Sequence, residues 1–441
     1  MVWTVARREF LEYLASLRFI LGFLIALTLT VLSTVINIDD YVERLADYTS
    51  AVREMNGDGY HVVVYRRPEV LSILVQGLDR KIGSQATLSP MEIPTMTSGY
   101  AGTYVSQQHQ FVSGFPAVDV AFVVRIVLSL MVMFLAYDSI AGEKMAGTLR
   151  MVLSNSLHRR SLLIGKTIGG LMLVQASLVA AMAASFLVIV LHPSISLALS
   201  DWMRIVEMVV VSGLYLSAIF GLSVFVSVIV EGPSTAMLVL LQVWLFLVVI
   251  FPALVNLAGP RLSPLPDEKE LAERKMAAFK PYEYDAEETQ NAFSTAIRSG
   301  KPIPEDLKLR NDDFYAKRAE VNYDVDEQLS KAQSAEKTLV ETVTIVSPSS
   351  LFDRAMIRLA RTGPDEFDLF MKGIRRFWDE YIQVIRLRET DRTKPFPPFT
   401  PSQESDVETF EATYTQEVLL VLFSVLSFVG ALARFDVKDV R

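Results

Sequence analysis

Six apolar blocks decide what this chain can fold into: Phe19 to Ile38, Val118 to Ala136, Leu162 to Leu191, Ile205 to Val230, Thr235 to Leu257 and Val418 to Leu432. A helix of about 20 apolar residues crosses the hydrocarbon of a bilayer, because only there does every backbone N–H and C=O find its partner within the segment. The blocks are continuous runs rather than the half-buried patterns of soluble helices or strands. With 51% hydrophobic residues in 441, the chain reads as an all-α polytopic membrane protein carrying soluble inserts, not as two or three soluble domains. The third block is long for one crossing and tilts or extends past the hydrocarbon. The sixth is short and recruits Gln416 and Ala433 to Phe435 at its edges.

The connecting segments set the expected organisation. Residues 1–38 hold an interfacial helix and the first span. In VWTVARREFLEYLASL, Trp3, Ala6, Phe10, Leu14 and Leu17 recur at three- and four-residue spacings, with Arg7, Arg8, Glu9 and Glu12 mostly elsewhere, the pattern of a helix lying on a membrane surface. The polar start of a signal peptide is the alternative, and the absence of a small-x-small cleavage site after Ile38 speaks against it. Residues 39–117 form a first insert of mixed α/β character, with a helix from Asp40 to Met55, a β-branched segment at His61 to Tyr65 and a helix-like run from Leu71.

Residues 118–258 hold spans two to five, with a tight turn at Glu231, Gly232 and Pro233. Residues 259–416 form a second, helix-rich insert, with helices expected near Asp267 to Phe279, Asp312 to Val343, Ser349 to Ala360 and Asp365 to Arg388, and a Pro-rich return at Pro395 to Pro401. Residues 417–441 are the sixth span and a tail.

Basic residues flank the spans on one side: Arg7, Arg8 and Arg18; Lys144, Arg150, Arg159, Arg160 and Lys166; Arg434, Lys438 and Arg441. The positive-inside bias makes that side cytoplasmic, with both termini inside and both inserts outside, in a bacterial inner membrane.

Composition also excludes classes of chemistry. The chain has no cysteine, which removes disulfides, thiolate metal sites and cysteine nucleophiles. A net charge of −8, concentrated in the second insert, argues against nucleic acid as a partner. His61, His109, His158 and His192 lack ligand-like spacing, so no metal site is expected. The string GKT at Gly165 to Thr167 mimics the end of a phosphate-binding loop, but Arg160 stands where that loop needs glycine and a span follows. No catalytic residues are assigned.

The stretch from Tyr137 to Thr167, YDSIAGEKMAGTLRMVLSNSLHRRSLLIGKT, carries the strongest signal. Its charges would each cost roughly 2.5 to 3.5 kcal/mol inside the bilayer, so it lies at the surface. On a helix Met145, Leu149, Val152 and Leu153 share a face while Glu143, Lys144 and Arg150 sit on others. The plain reading is a charged loop anchoring two spans. The order Glu143, Gly147, Thr148, Leu149, Leu153, Ser154, Arg160, Gly165, Lys166 resembles the cytoplasmic segment of ABC-2 type permeases, the membrane subunits of ABC exporters. The N-terminal RREFLEYLASLRF, the six spans and the terminal FDVKDVR agree with that resemblance.

The resemblance implies that Glu143, Gly147, Thr148, Leu149, Val152, Leu153 and Ser154 form a coupling helix that docks on a separate ATPase subunit. ATP and Mg would then be bound by that partner, with no cofactor in this chain. It further implies two ATPase subunits and a second permease copy or a homologous permease.

Within the spans, Arg125, Gln175, Glu207 and Gln242 are polar. Arg125 and Glu207 fall towards the outer side; they pair, line a vestibule, or snorkel separately. Gly165 and Gly169 fit a small-xxx-small packing pattern. The function these features point to is the permease subunit of an ATP-driven exporter. The alternatives are a complex that passes motion to an external, periplasmic partner without transport, and a membrane-anchored sensor or scaffold.

Overall fold

The computed structural model describes residues 2–54, 62–79, 85–88, 118–149, 151, 158–262, 268–299, 303–388, 399–401 and 405–437. Helix α1 (Val2–Leu14) comes first. The hydroxyl of Ser16 then donates to the Tyr13 carbonyl and accepts the Phe19 N–H, which breaks one helix and caps the next.

Among the described residues, six helices are long and apolar enough to cross a membrane: span one Leu17–Val52, span two Val120–Met145, span three Arg159–Leu191, span four Leu199–Ile229, span five Pro233–Gly259 and span six Asp406–Val437. The architecture is that of a mostly α polytopic membrane protein.

Local chemistry sets the ends of these helices. Asp119 caps span two by accepting the Phe122 N–H at 2.7 Å, and it also accepts the Gln76 N–H from the first insert. Pro233 begins span five, where its fixed φ and missing N–H cost nothing. Span one does not stop at the membrane. Its helix runs unbroken from Leu17 to Glu54, 38 residues, where a separate helix from Asp40 is expected. No Gly or Pro interrupts Asn37 to Glu54, and Arg44 pairs with Asp40 one turn away at 3.0 Å.

The first insert is small. Strands β1 (Val62–Tyr65) and β2 (Gln85–Leu88) pair antiparallel, Val62 opposite Leu88 and Tyr65 opposite Gln85. The helix-like run from Leu71 forms only a 3₁₀ turn, Val70–Ile73. Gly77, at φ +50°, turns the chain there, and the Leu78 N–H donates to the Thr362 carbonyl of the second insert. Arg44 and Arg66 both reach the buried Asp79, each at 2.5 Å.

The second insert contains α3 (Glu268–Phe279), α4 (Glu283–Arg298), α5 (Glu305–Val343), α6 (Pro348–Leu359) and α7 (Pro364–Arg388). Helix α3 packs on the stalk-like α5 through Leu271, Val325 and Leu329, with Lys275 paired to Asp326 at 2.9 Å. The β1–β2 pair buries Val62, Val64, Ala86 and Leu88 against Phe367, Phe370, Ile374 and Tyr381 of α7, so the two inserts share one core.

Helix α6 belongs to the span bundle rather than to solvent. Leu351, Phe352, Ala355, Met356 and Leu359 are buried in the cluster that unites the spans. The Ser347 hydroxyl caps this helix, and Pro348 occupies its first position. The serines also explain a backbone irregularity. Span five winds as a π-helix over Leu245–Ile250, and such a turn leaves carbonyls short of helical partners. Ser347 donates to the Leu247 carbonyl at 2.7 Å, and Ser349 donates to the same carbonyl at 3.2 Å.

Candidate functional site

Residues 137–149 and 158–167 sit at the end of the bundle that also holds α1, opposite the inserts, and the first of these pieces is bolted to the spans. The short helix α2 (Ala141–Met145) starts with the Ile140 and Ala141 N–H groups both donating to the Ser227 hydroxyl at 3.1 Å. These are orphan donors of a helix N-terminus, and span four supplies their acceptor. In return, the Lys144 ammonium donates to the Ser227, Val228 and Val230 carbonyls at 3.2, 2.5 and 3.0 Å. It thereby closes the C-terminal end of span four, where free carbonyls and the helix dipole favour a cation.

Lys166 performs a second fixation. Its ammonium lies 2.9 and 3.1 Å from the two carboxylate oxygens of Glu9 on α1 and 3.0 Å from Glu143 on α2. Helix α1 comes this close because span three presents glycines. A Cβ at Gly165 would lie 2.8 Å from that of Val5, and one at Gly169 would collide with the Ala6 carbonyl. The small-xxx-small pattern is therefore occupied by the interfacial helix. Burial pushes the Glu9 carboxyl above its ordinary range, against the opposing pull of Lys166. Arg18 pairs with Asp138 at 2.7 Å, and Arg160 with Asp436 at 2.7 Å.

The sequence-expected residues of the segment divide in three. Glu143 is engaged by Lys166, and Leu149 is buried at 1% exposure, in the same core as the spans. Leu149 thus faces the spans, where amphipathicity alone would have allowed it to face a partner. Gly147 and Thr148 are exposed; Gly147 adopts φ +70°, a conformation glycine reaches at little cost, and a Cβ there would meet nothing. Val152, Leu153 and Ser154, with Arg150, lie outside the described residues. Among the described residues of the segment, Met145 and Met151 are the exposed large apolar side chains, at 70% and 73%. Met151 lies off the helical face shared by Met145, Leu149, Val152 and Leu153, so the spacing of the segment does not single it out.

The intramembrane polar residues do not form the expected pair. Arg125 pairs with Asp353 on α6 instead of Glu207. Asp353 lies 228 residues further along the chain, so no local pattern could reveal it. The Arg125 carbonyl, inside a π-helical turn over Val123–Leu128, accepts from the Ser129 hydroxyl and from the Tyr215 hydroxyl at 2.9 Å. Trp244 of span five donates to Ser129 at 2.9 Å.

Glu207 lines a shallow groove with Trp202, Met203, Val206 and Phe410 and lies within hydrogen-bonding reach of Glu417 on span six. Gln175 ties span three to span four by donating to the Gly213 carbonyl at 2.9 Å and to Ser217 at 3.1 Å. Gln242 is exposed on the outside of span five. Among the described residues no group of His, Asp and Glu is arranged to hold a metal ion.

Among the described residues, six membrane-length helices, an N-terminal helix packed on the third and a charged segment locked between spans two, three and four define a polytopic α-helical membrane protein. The family model described as "ABC-2 family transporter protein" matches residues 3–440, and the chain belongs to that family. It is similar to the probable ABC transporter permease protein NosY of Pseudomonas aeruginosa, with 33% identity over 145 residues. That match covers 31% of this chain and 51% of the relative, so the chain spans about half the length of the curated relative it matches.

Proposed function

We propose that the chain is the permease subunit of an ATP-driven exporter whose ATP and Mg are bound by separate ATPase subunits, two per complex, alongside a second copy of this chain or a homologous permease. The complex resides in a bacterial inner membrane with both termini cytoplasmic and the inserts external. The observation that carries the reading is the two-sidedness of residues 141–149 with Met151. One side is fastened to the spans through Lys144, Glu143 and Leu149, and the other exposes Met145, Gly147, Thr148 and Met151. A surface of two flexible thioether side chains beside a glycine turn suits an adaptable groove on a partner. Force applied there is handed to spans three and four through the Lys166–Glu143 pair and the Lys144 bonds.

The test is retention of an ATPase from the native host on the purified full chain. Met145→Glu with Met151→Glu leaves membrane insertion intact and lowers ATPase retention at least tenfold. Unchanged retention overturns the reading.

A second reading, in which motion and not cargo passes to an external partner, draws on α6. This helix of the insert is keyed into the bundle by Arg125 and by the serine bonds to span five, so movement of the spans is delivered to the insert. Accumulation of a cargo outside vesicles that contain the complex would favour export; ATP-dependent movement of α5 without cargo would favour this second reading.

A further inference from the structure

Lys166 stands at a junction of three separate pieces: the interfacial helix, the candidate coupling segment and span three. An ammonium has three donors and no acceptor. Here they are divided between both oxygens of Glu9 and one oxygen of Glu143, while the other Glu143 oxygen is buried without a hydrogen-bond partner. The side chains of Lys166 and Glu9 are 9% and 7% exposed. Two carboxylates thus compete for one buried cation. Of the neighbouring cations, Arg18 pairs with Asp138, Arg160 with Asp436, and Lys144 closes the carbonyl end of span four. A displacement of Glu143 therefore changes the hold on Glu9, and removal of the Lys166 cation leaves the buried Glu9 and the half-buried Glu143 without it, beside a glycine-lined contact that admits no compensating side chain.

We propose that Lys166 is a positioning residue that makes α1 a moving part of the coupling unit, its ammonium sharing Glu9 and Glu143 so that α1, residues 141–149 and span three travel together. The proposal rests on the proposed function for what drives the motion, but the clamp itself can be tested without any ATPase. The chain has no cysteine of its own, so a single Ala6→Cys reports on α1 alone. Ala6 is 1% exposed against span three.

In membranes holding the full chain, Ala6→Cys resists N-ethylmaleimide. It reacts at least tenfold faster when combined with Lys166→Met, and also with Glu9→Gln, a milder change that keeps the Lys166–Glu143 pair should the first variant insert poorly. Full inversion of the cluster, Glu9→Lys with Glu143→Lys and Lys166→Glu, restores protection, whereas Glu9→Lys with Lys166→Glu alone restores α1 but strands Glu143 beside a like charge.

With an ATPase bound, the second of these combinations keeps Ala6→Cys protected yet loses modulation of ATP hydrolysis by the permease, a split that a purely structural role of Lys166 does not give. Protection unchanged in both Lys166→Met and Glu9→Gln overturns the clamp whatever the ATPase does. Normal modulation in the inverted pair overturns the sharing. Absence of any ATPase, with the labelling pattern as expected, removes the proposed function and leaves the clamp standing.

Discussion

The two ends of the bundle hold their attached parts by different physics. At the end bearing α1, side chains that begin inside or beside the spans reach out to a loop: Lys144 caps span four, and Lys166 gathers Glu9 and Glu143. At the insert end the spans themselves change pitch, two π-helical turns at Val123–Leu128 and Leu245–Ile250, and α6 fills the gap with serine hydroxyls, Asp353 and the ring of Phe352 stacked on Tyr215 at 4.8 Å. Ion pairs and ammonium caps dominate one attachment, whereas an inserted helix with hydroxyl bonds and a single ion pair makes the other. Charge clamps keep a segment attached while letting its direction shift by small amounts, whereas an interdigitated helix allows only discrete seats.

That contrast can be broken at its strongest points first. Replacing Asp353 by Ala strands Arg125 in a spanning helix at a cost of roughly 2.5 to 3.5 kcal/mol; the expected result is loss of folded chain in membranes, measured as detergent-extractable monodisperse protein, with Arg125→Met and Asp353→Met together recovering most of it. Leu149→Ala empties a fully buried site and lowers thermal stability by about 2 to 4 kcal/mol, while an exposed change, Thr148→Ala, leaves the melting temperature within about 1 °C. Ser347→Ala removes both the α6 cap and a bond to a π-helical carbonyl. It costs about 1 to 3 kcal/mol, and hydrogen exchange increases at Ser350, whose N–H the hydroxyl accepts, rather than at Ile140 or Ala141.

A last effect is a pH dependence with a source at the insert end. Burial and then the nearby Glu366 push the Glu69 carboxyl up to about 7, against the pull of Arg204 and Arg361. A carboxyl whose folded value lies above its unfolded one gives stability that is fully present below the unfolded value and is lost as pH rises through the folded value. Melting temperature therefore falls between pH 5 and pH 8, and Glu69→Gln flattens the slope. A slope of opposite sign, or one unchanged in Glu69→Gln, shows that Glu69 is not its source.

Much of this was legible in the sequence, for identifiable reasons. The spans follow from unbroken apolar runs, and helices α3, α5, α6 and α7 fall near the expected stretches because α3 and α5 have no internal Gly or Pro, Ser347 and Pro348 start α6 locally, and the strong apolar stripe of α7 carries it through Gly373. Helix α4 was not expected, since EYDAEETQNAFSTAIR carries only a thin apolar face. The end of span one was misplaced because Asp39 and Asp40 look like a helix start, yet a helix that already leaves the membrane simply continues through them.

The site was partly legible. Glu143, Gly147 and Lys166 stand out as charge and glycine in an apolar context. The partners that give them meaning, Glu9 for Lys166 and Asp353 for Arg125, are fixed by tertiary packing across long sequence distances. Leu149 shows the same limit: periodicity defines an apolar face but not which neighbour will cover it.

The unbroken helix from Leu17 to Glu54 has a mechanical consequence. Its 38 residues extend about 57 Å at 1.5 Å per residue, nearly twice the thickness of the hydrocarbon at about 30 Å. The rod therefore extends about 27 Å beyond the hydrocarbon, with Arg44 fastening its upper part to Asp79 of the first insert. A tilt of about 10° in the bilayer, within the range such helices adopt, sweeps the far end sideways by about 5 Å. A barely perceptible reorientation among lipids becomes, at the tip of the lever, a step the width of a methyl group or more.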